Sequence, residues 1–385
     1  MALHGYSDRV VMFSFKKNIL VGASLFVFGF CSQVLGHAIE NSTAAEHRWS
    51  SEVSVISVVQ RVQRPFLDSS RMETNTRADF SVGYQINSRH RFQSQLRLSD
   101  GNGLSFGSLS SSNAIVPGDE DDFDKPILLQ AYYTYSGLSS AIFAIGQMDP
   151  YAFFDANEYS DDEGDTFLNL AFIHNPLLDV GGDLNPGTYG GTPGVHVMFG
   201  DGDQNAYTVT RLAIFGSGLG ADLKGSMRNR VSVGQFEYAH SQTSEYKGHY
   251  RIYVWDRNNG VDVDGISPMS AASGWGISLN QGLSEYIGIF SRFGKSTDDV
   301  KAETLEDAVT GGMHVGGALW GRANDSFGVA LGSMKINQGD SESFSEIYYK
   351  LKLTPNFSIT PSFQAIEMID QKNIEIFSVR IKMAL

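Results

Sequence analysis

The chain has 385 residues, including 41 glycines, 25 phenylalanines and 16 tyrosines against 10 prolines and one cysteine. This composition indicates many strands and turns, and the single cysteine excludes an internal disulfide. The formal net charge of −14 at pH 7 argues against nucleic acid as a partner.

The first predicted element is a secretory signal peptide over residues 1–38. Two lysines precede an apolar run from Ile19 to Phe30, and small residues occupy the positions before a cleavage site. We expect cleavage after Ala38, with Met12 as an alternative start. The apolar run is shorter than the ~20 residues of a transmembrane helix. Residues 39–385 are therefore predicted to form one exported domain.

Strand-like runs of about ten residues recur through the rest of the chain. In "TRADFSVGYQI", residues 76–86, Ala, Phe, Val, Tyr and Ile alternate with Arg, Asp, Ser and Gln. The predicted strands are residues 53–63, 76–86, 90–99, 127–135, 139–147, 193–200, 205–215, 231–240, 247–256, 273–281, 284–294, 311–321, 325–334, 343–353, 356–366 and 374–385.

These sixteen runs predict an all-β fold, a transmembrane antiparallel β-barrel. Short connections alternate with long ones rich in glycine and aspartate, as on the two rims of an outer-membrane barrel. A soluble all-β array would alternate too, but no second apolar set exists to build its core. The final run, "IFSVRIKMAL", alternates to the last residue, because the last strand of a closed barrel pairs with the first.

Some local assignments stay open at this level. Residues 205–215 place Arg211 in a row of apolar side chains, so the facing of that strand is undecided. Pro361 removes a ladder donor within a strand and predicts a bulge or a broken pair. Trp275 and Trp320 fit either the pore or an aromatic girdle at the membrane interface.

The longest gap between strands is residues 148–192. Within it, residues Asp162 to His174 have the spacing of a short helix. A loop of this length in a compact chain is usually functional or disordered, and this one is too aromatic for disorder. We expect it to fold into the lumen as a constriction loop.

Four segments carry a family resemblance: "GQMDPYAFFDANEYSDDEGDTFLNLAFIHNP" from Gly146, "SGWGISLNQGLSEYIGIFSRFG" from Ser273, "GALWGRANDSFGVALG" from Gly317 and "SEIYYKLKLTPNFSITPSFQAI" from Ser345. Together they resemble the carbohydrate-selective porins of the OprB family. The resemblance implies a multi-pass barrel in the outer membrane of a Gram-negative bacterium, with a pore that inward-folded loops constrict.

The predicted function is passive, carbohydrate-selective diffusion of monosaccharides such as glucose. The alternatives are a general or cation-preferring pore, and a barrel with an adhesive or structural role. Enzyme activity is not expected, because none of the nine histidines lies in a local catalytic signature such as HExxH. The expected partners are sugars in transit, outer-membrane lipid and lipopolysaccharide, and the barrel-assembly machinery. Homotrimer and monomer both stay open.

A pore that selects sugars needs paired hydrogen-bond donors and acceptors together with flat aromatic faces. The predicted pore-lining residues on the second and third strands are Arg77, Asp79, Arg91, Gln93, Gln95 and Arg97. Those predicted in the loop are Asp155, Asn157, Phe167, Asn169 and Phe172. The alternatives are that the charged wall residues only pair with one another, and that the phenylalanines dock the loop to the wall.

Two acidic clusters, "GDEDDFD" from Gly118 and "SDDEGD" from Ser160, raise the question of Ca²⁺. Neither has the spacing of an EF-hand loop. A solvated tip facing lipopolysaccharide explains the first, and favourable charge at a helix start explains the second. No cofactor and no metal site are predicted, with Ca²⁺ as the alternative.

Overall fold

The computed structural model describes most of the chain after the predicted signal peptide. The described residues are 48–63, 70–101, 126–138, 140–178, 191–202, 206–216, 230–240, 246–258, 260–261, 268–269, 271–297, 305–336, 341–368 and 373–385. The signal peptide and the first acidic cluster, Gly118 to Asp124, lie outside them.

Strands dominate the described residues. In chain order they are β1 Trp49–Gln63, β2 Ser70–Asn87, β3 His90–Asp100, β4 Ile127–Tyr135, β5 Ala141–Met148, β6 Thr192–Gly202, β7 Ala206–Gly216, β8 Arg230–His240, β9 Gly248–Arg257, β10 Gly260–Val261, β11 Pro268–Met269, β12 Ala272–Gly282, β13 Ile287–Ser296, β14 Leu305–Gly316, β15 Ser326–Ile336, β16 Ser341–Thr354, β17 Phe357–Met368 and β18 Ile374–Ala384.

Sixteen of these strands form one closed antiparallel barrel, and β10 and β11 pair separately. The barrel closes between β1 and β18, in a register that runs from Ser54 opposite Ala384 to Gln63 opposite Glu375. Val53 and Leu385 exchange both backbone hydrogen bonds, at 3.2 and 2.8 Å. The prediction of a barrel of about sixteen strands is confirmed. Closure satisfies the backbone groups that an open edge would leave unpaired in lipid.

Side chains alternate across the barrel wall as the pattern predicts. On β18, Phe377, Val379 and Ile381 are exposed on the outer surface, whereas Arg380 is buried on the lumenal side. No described helix is long and apolar enough to cross a membrane.

On β7, the row that contains Arg211 faces the lumen. Leu212 and Ile214 are exposed outward, whereas Ala213 and Phe215 are buried on the inside, in the same row as Arg211. The inward apolar residues pack under the constriction loop as part of a core cluster. Both faces of the extracellular half of this strand are therefore apolar, which is why periodicity alone left its orientation open.

The structure tests two predictions about individual strands, the span 311–321 and the break at Pro361. The predicted strand at 311–321 is displaced, because β14 begins at Leu305 and ends at Gly316, after which Gly317–Trp320 forms a 3-10 helix. Polar and acidic residues at the start of β14 hid its alternation.

At Pro361, register pairing with β16 is interrupted while pairing with β18 continues. The predicted broken pair is therefore present, on one side only.

Trp275 and Trp320, the two tryptophans whose placement the sequence left open, both lie outside the lumen. Trp275 is half-buried on the outer row of β12, with its ring 5.3 Å from that of Phe293. Trp320 is exposed beside the 3-10 helix and donates a hydrogen bond to the Tyr349 hydroxyl at 3.0 Å. Their placement fits the aromatic girdles of an outer-membrane barrel rather than the pore.

Candidate functional site

The loop after β5 crosses the barrel lumen. Near its start, the backbone N–H of Asp155 donates to Gln235 Oε1 on β8 at 2.9 Å. At its tip, Glu163 forms an ion pair with Arg77 on β2. These strands lie on well-separated parts of the barrel, so the expected inward-folded loop is present and divides the lumen.

Glycines on the inward row of β13 give the loop room to lie against the wall. A Cβ atom at Gly288 would lie 2.1 Å from the Tyr159 ring, and one at Gly294 would lie 2.5 Å from Asn175 Oδ1. Both distances are shorter than any real contact, so larger residues would push the loop inward.

The helix inside the loop is shorter than its spacing predicts. Within residues 162–174 only α1, Leu170–Ile173, is helical, and Asn169 caps it by accepting a hydrogen bond from the Ala171 N–H. Separate 3-10 turns lie at Pro150–Ala152 and Pro176–Leu178 of the loop. The backbone N–H groups of Leu168 and Asn169 instead donate to the Glu346 carboxylate on β16, at 2.8–3.0 Å. Because these amides bind the barrel wall, an earlier helix start is prevented. The prediction of a helix from Asp162 to His174 is therefore corrected to a single turn.

Arg292 on β13 joins the two arms of the loop. Its guanidinium donates to Asp155 Oδ2 at 2.9 Å and to the carbonyl oxygens of Ser160, Phe172 and Ile173 at 2.6–2.7 Å. Arg292 is 1 % exposed, so these contacts take place away from bulk water. One side chain therefore holds the outgoing and returning segments together.

An apolar cluster docks the far side of the loop on the wall. The Phe167 ring lies 5.6 Å from Phe290 and 4.9 Å from Tyr348, and the Phe172 ring lies 5.2 Å from Phe344. Phe167 and Phe172 are both 0 % exposed. They dock the loop and do not reach the pore surface, so their placement as sugar-stacking residues is corrected.

The polar loop residues singled out from sequence are also buried. Asp155 accepts from Arg292 and from the Asn175 N–H at 2.7 Å, and has a positive φ of 58°. Asn157 donates to the Leu279 carbonyl at 3.3 Å, while Asn169 caps α1. All three serve the loop's own conformation rather than lining the pore.

On β2 and β3, three of the predicted pore-lining charges form ion pairs with one another. Arg97 binds Asp79 through two hydrogen bonds of 2.6 and 3.0 Å, and Arg77 lies 3.3 Å from the same carboxylate. Arg77 also pairs with Glu163 of the loop. Although burial acts in the opposite direction, the Arg77 charge lowers the pKa of Glu163 to about 2. Arg77, Asp79 and Arg97 are thus buried in an ion network that fixes the loop tip.

The second acidic cluster pairs with cations of the wall. Asp165 binds both Lys350 and Lys382, and Asp162 lies 3.5 Å from Lys382. Among the described residues, no group of three or more His, Cys, Asp or Glu side chains is arranged to hold a metal ion. Lysines pair with Asp162 and Asp165, and Arg77 pairs with Glu163, so the cluster gives no support to the Ca²⁺ alternative.

One free part of the lumenal surface lies on β3 and β4. Arg91 is exposed, Gln93 and Gln95 are half-buried, and Gln95 accepts a hydrogen bond from Gln130 at 2.9 Å. Tyr132 lies opposite Gln93 in the pairing of β3 with β4, and its ring packs against that of Phe153 in the loop, with the ring centroids 5.4 Å apart. We call Arg91, Gln93, Gln95, Gln130, Tyr132 and Phe153 the constriction surface.

The sequence reasoning missed two parts of this lumen. One is the aromatic pair of the constriction surface, since Tyr132 lies in a strand with tyrosines on both faces. The other is a polar cluster on β7, β8 and β9, in which Glu237 binds Arg211, His249 and Arg251. Its signal was Arg211, the one charge in an apolar row.

Comparison with known proteins decides the family. The family model for carbohydrate-selective porins, the OprB family, matches residues 128–375 of this chain. The chain belongs to the OprB family. It is also 26 % identical over 285 residues to an uncharacterised protein of Aquifex aeolicus (strain VF5), covering 72 % of this chain and 76 % of that one.

Solved structures show the OprB-like fold. The high-pH structure of Pseudomonas putida OprB matches with a TM-score of 0.69 at 13 % identity, covering 88 % of this chain and 94 % of that chain. Its low-pH structure gives a TM-score of 0.54 at 12 % identity, covering 88 % and 92 %. The loop L8 deletion mutant of Vibrio cholerae OmpT gives 0.53 at 8 %, covering 88 % and 100 %. The chain is thus an outer-membrane β-barrel of the porin class, and family and fold indicate a channel rather than an enzyme.

In this OprB-family pore, Asp161 provides a pH-dependent charge. It is exposed on the lumenal surface of the loop, where the enclosing protein limits hydration and, with help from the Asp155 charge, raises its pKa to about 7. Because the carboxyl group gains a proton as pH falls through 7, we expect the cation-to-anion permeability ratio to decrease between pH 8 and pH 6. Reversal potentials in a salt gradient measure the ratio.

The variant Asp161→Asn tests this assignment. It removes the titrating carboxylate while preserving the shape of the side chain, so the ratio should stay at its low-pH value across the same range. Glu306→Gln, which changes an exposed ion pair with Lys335 outside the loop, serves as the control. An unaltered pH response in Asp161→Asn would assign the titration to another group.

Proposed function

We propose that this protein lets monosaccharides such as glucose diffuse passively across the outer membrane, with selectivity set at the constriction surface. The observation that carries the proposal is the adjacency of the Tyr132–Phe153 aromatic pair to the amides of Gln93, Gln95 and Gln130. A pyranose has one weakly apolar face and a ring of hydroxyl groups. Aromatic rings match the first and amides the second, and each contact is weak enough to release the sugar.

Mixed charge at the constriction also supports the proposal. Arg91 contributes a cation and Asp161 a carboxylate on the open surface, so neither sign alone lines the pore. A pore with only acidic side chains would favour cations, and one with only basic side chains would favour anions.

Liposome swelling tests the proposal. Vesicles containing the protein are exposed to glucose, to a disaccharide and to an amino acid of similar size to glucose. Glucose should enter faster than both, and Tyr132→Leu should lower the rate for glucose towards that of the amino acid. Tyr133→Leu is the matched control, because the neighbouring side chain lies on the outer row of the barrel opposite Phe92.

The other functions predict different results. Glucose entry no faster than that of the amino acid would favour a general or cation-preferring pore, and the reversal potential would distinguish these two. A single-channel conductance near zero would favour an adhesive or structural barrel.

A further inference from the structure

A second polar site lies in the lumen on the side of the short connections. Glu237 on β8 accepts from Arg211 on β7 at 2.5 Å and pairs with His249 and Arg251 on β9 at 2.7 and 3.3 Å. These strands belong to hairpins joined by the short connections 203–205 and 241–247. In outer-membrane barrels short connections face the periplasm, so this cluster is on the periplasmic side of the constriction.

The constriction loop borders this site. Glu158 of the loop forms an ion pair with Lys247, the residue directly before β9. Tyr207 is half-buried on the lumenal row of β7, with its ring 6.4 Å from that of His249 in an edge-to-face arrangement. We call Tyr207, Arg211, Glu237, His249 and Arg251 the exit cluster.

The exit cluster has more donors than its one carboxylate uses. Two guanidinium groups and an imidazole surround Glu237, whose side chain is only 4 % exposed. Arg251 is also buried and donates to Asn280 Oδ1 at 2.8 Å. Arg211 is 20 % exposed, and among the described residues its side chain hydrogen-bonds only Glu237. Its other N–H donors have no partner among the described residues, and the side chain is partly open to the lumen.

Donor geometry and charge indicate the ligand. A free guanidinium edge binds the two oxygens of a carboxylate side by side, and an adjacent aromatic ring packs on the apolar face of a sugar. A dianionic phosphate is disfavoured, because the Glu158 and Glu237 carboxylates border the same space.

We propose that the exit cluster binds carboxylated monosaccharides, such as uronates, as they leave the pore. Arg211 holds the carboxylate, Tyr207 packs on the sugar ring, and the buried Glu237–Arg251 pair keeps Arg211 in position. This inference rests on the proposed sugar-conducting function and extends its substrate class from neutral to acidic sugars.

Block of single-channel current in planar bilayers tests the site. The probes are D-glucuronate, glucose and lactate, added on the periplasmic side. Because a charge-assisted bidentate bond is available only to the carboxylate, glucuronate should half-block at about tenfold lower concentration than glucose. Lactate has the carboxylate without the ring and should block less well than glucuronate.

Arg211→Gln should bring the glucuronate and glucose half-blocking concentrations to within about twofold of each other, since the charged bond is lost. Arg211→Lys keeps the positive charge but cannot bind a carboxylate in bidentate fashion, so it should retain part of the difference between the two half-blocking concentrations. Lys295→Gln, an equal charge change at an exposed position on β13, should leave the ratio as in the wild type. Open-channel conductance in each variant shows that the barrel has folded.

The outcomes separate this inference from the proposed function. A glucuronate advantage that Arg211→Gln abolishes supports the exit cluster, even if liposome swelling shows no preference for glucose. No glucuronate advantage in the wild type, or one that survives Arg211→Gln, overturns the exit cluster while leaving glucose selectivity to be judged by swelling alone.

Discussion

Replacing Arg292 with methionine is expected to open the pore, seen as a higher single-channel conductance and a loss of discrimination between glucose and a size-matched amino acid. Methionine leaves the Asp155 carboxylate buried without its ion partner and removes the Arg292 donors from four loop carbonyls, those of Asp155, Ser160, Phe172 and Ile173. Breaking a buried pair on one side costs about 3–5 kcal/mol. Much of that cost should fall on loop docking, because all the hydrogen-bond acceptors of the guanidinium among the described residues belong to the loop.

Two further variants show whether the effect comes from the buried charge. Asp155→Asn combined with Arg292→Met removes both charges and should restore part of the loop order, giving a conductance between those of the wild type and the single variant. Lys335→Met removes a cation from an exposed ion pair with Glu306 and should leave conductance unchanged. Wild-type conductance in Arg292→Met would mean that the loop is held without this residue.

The second large effect is expected from the apolar docking of the loop. Trimming Phe167 and Phe172 together to alanine should raise conductance, because both side chains are fully buried between the loop and strands β13–β16. Each Phe-to-Ala change in a core costs about 3–5 kcal/mol. The loop should detach before the barrel unfolds, since the backbone pairing of the barrel does not depend on these rings.

A lipid-facing phenylalanine provides the matched control. The Phe377 ring lies 4.8 Å from that of Phe363 on the outer surface and is 47 % exposed, so Phe377→Ala removes one phenyl ring, half of what the double variant loses, away from the lumen. Its conductance should equal that of the wild type. Unchanged conductance in the double variant would remove the assignment of residues 149–178 as the constriction.

These two variants perturb different parts of the loop attachment. Arg292 holds the two arms of the loop to each other, whereas the phenylalanines hold the loop to the wall. Fluctuating conductance levels are therefore expected for Arg292→Met, whose loop stays docked through its rings. A steadier, larger conductance is expected when the rings are removed.

The alternation of side chains was sufficient for predicting the barrel. Period-two patterning survives in the sequence because one face of each strand meets lipid and the other meets water or the loop. It failed where that contrast is absent. The acidic start of β14 and the apolar lumenal row of β7 both break the pattern, since neither stretch separates an apolar outer face from a polar inner one.

The site was less accessible from sequence than the fold. Residue type correctly identified the lumenal row of side chains on β2 and β3. Ion pairs within that row decided which of its side chains stay exposed to the pore. Arg77, Asp79 and Arg97 are buried by one another and by Glu163, which leaves Arg91, Gln93 and Gln95 on the surface. Such pairing depends on a loop residue more than 60 positions away along the chain.

By itself, the sequence determined the all-β class, the number of barrel strands, the closure of the last strand on the first and the presence of a long loop in the lumen. Those features follow from local alternation and connection length, which each segment carries independently. Only the tertiary structure decided the length of α1, the burial of the loop phenylalanines and the assembly of the exit cluster. Each of these depends on partners from distant strands, such as Glu346 for the loop amides and Glu237 for Arg211, and no local pattern records which partner a side chain meets.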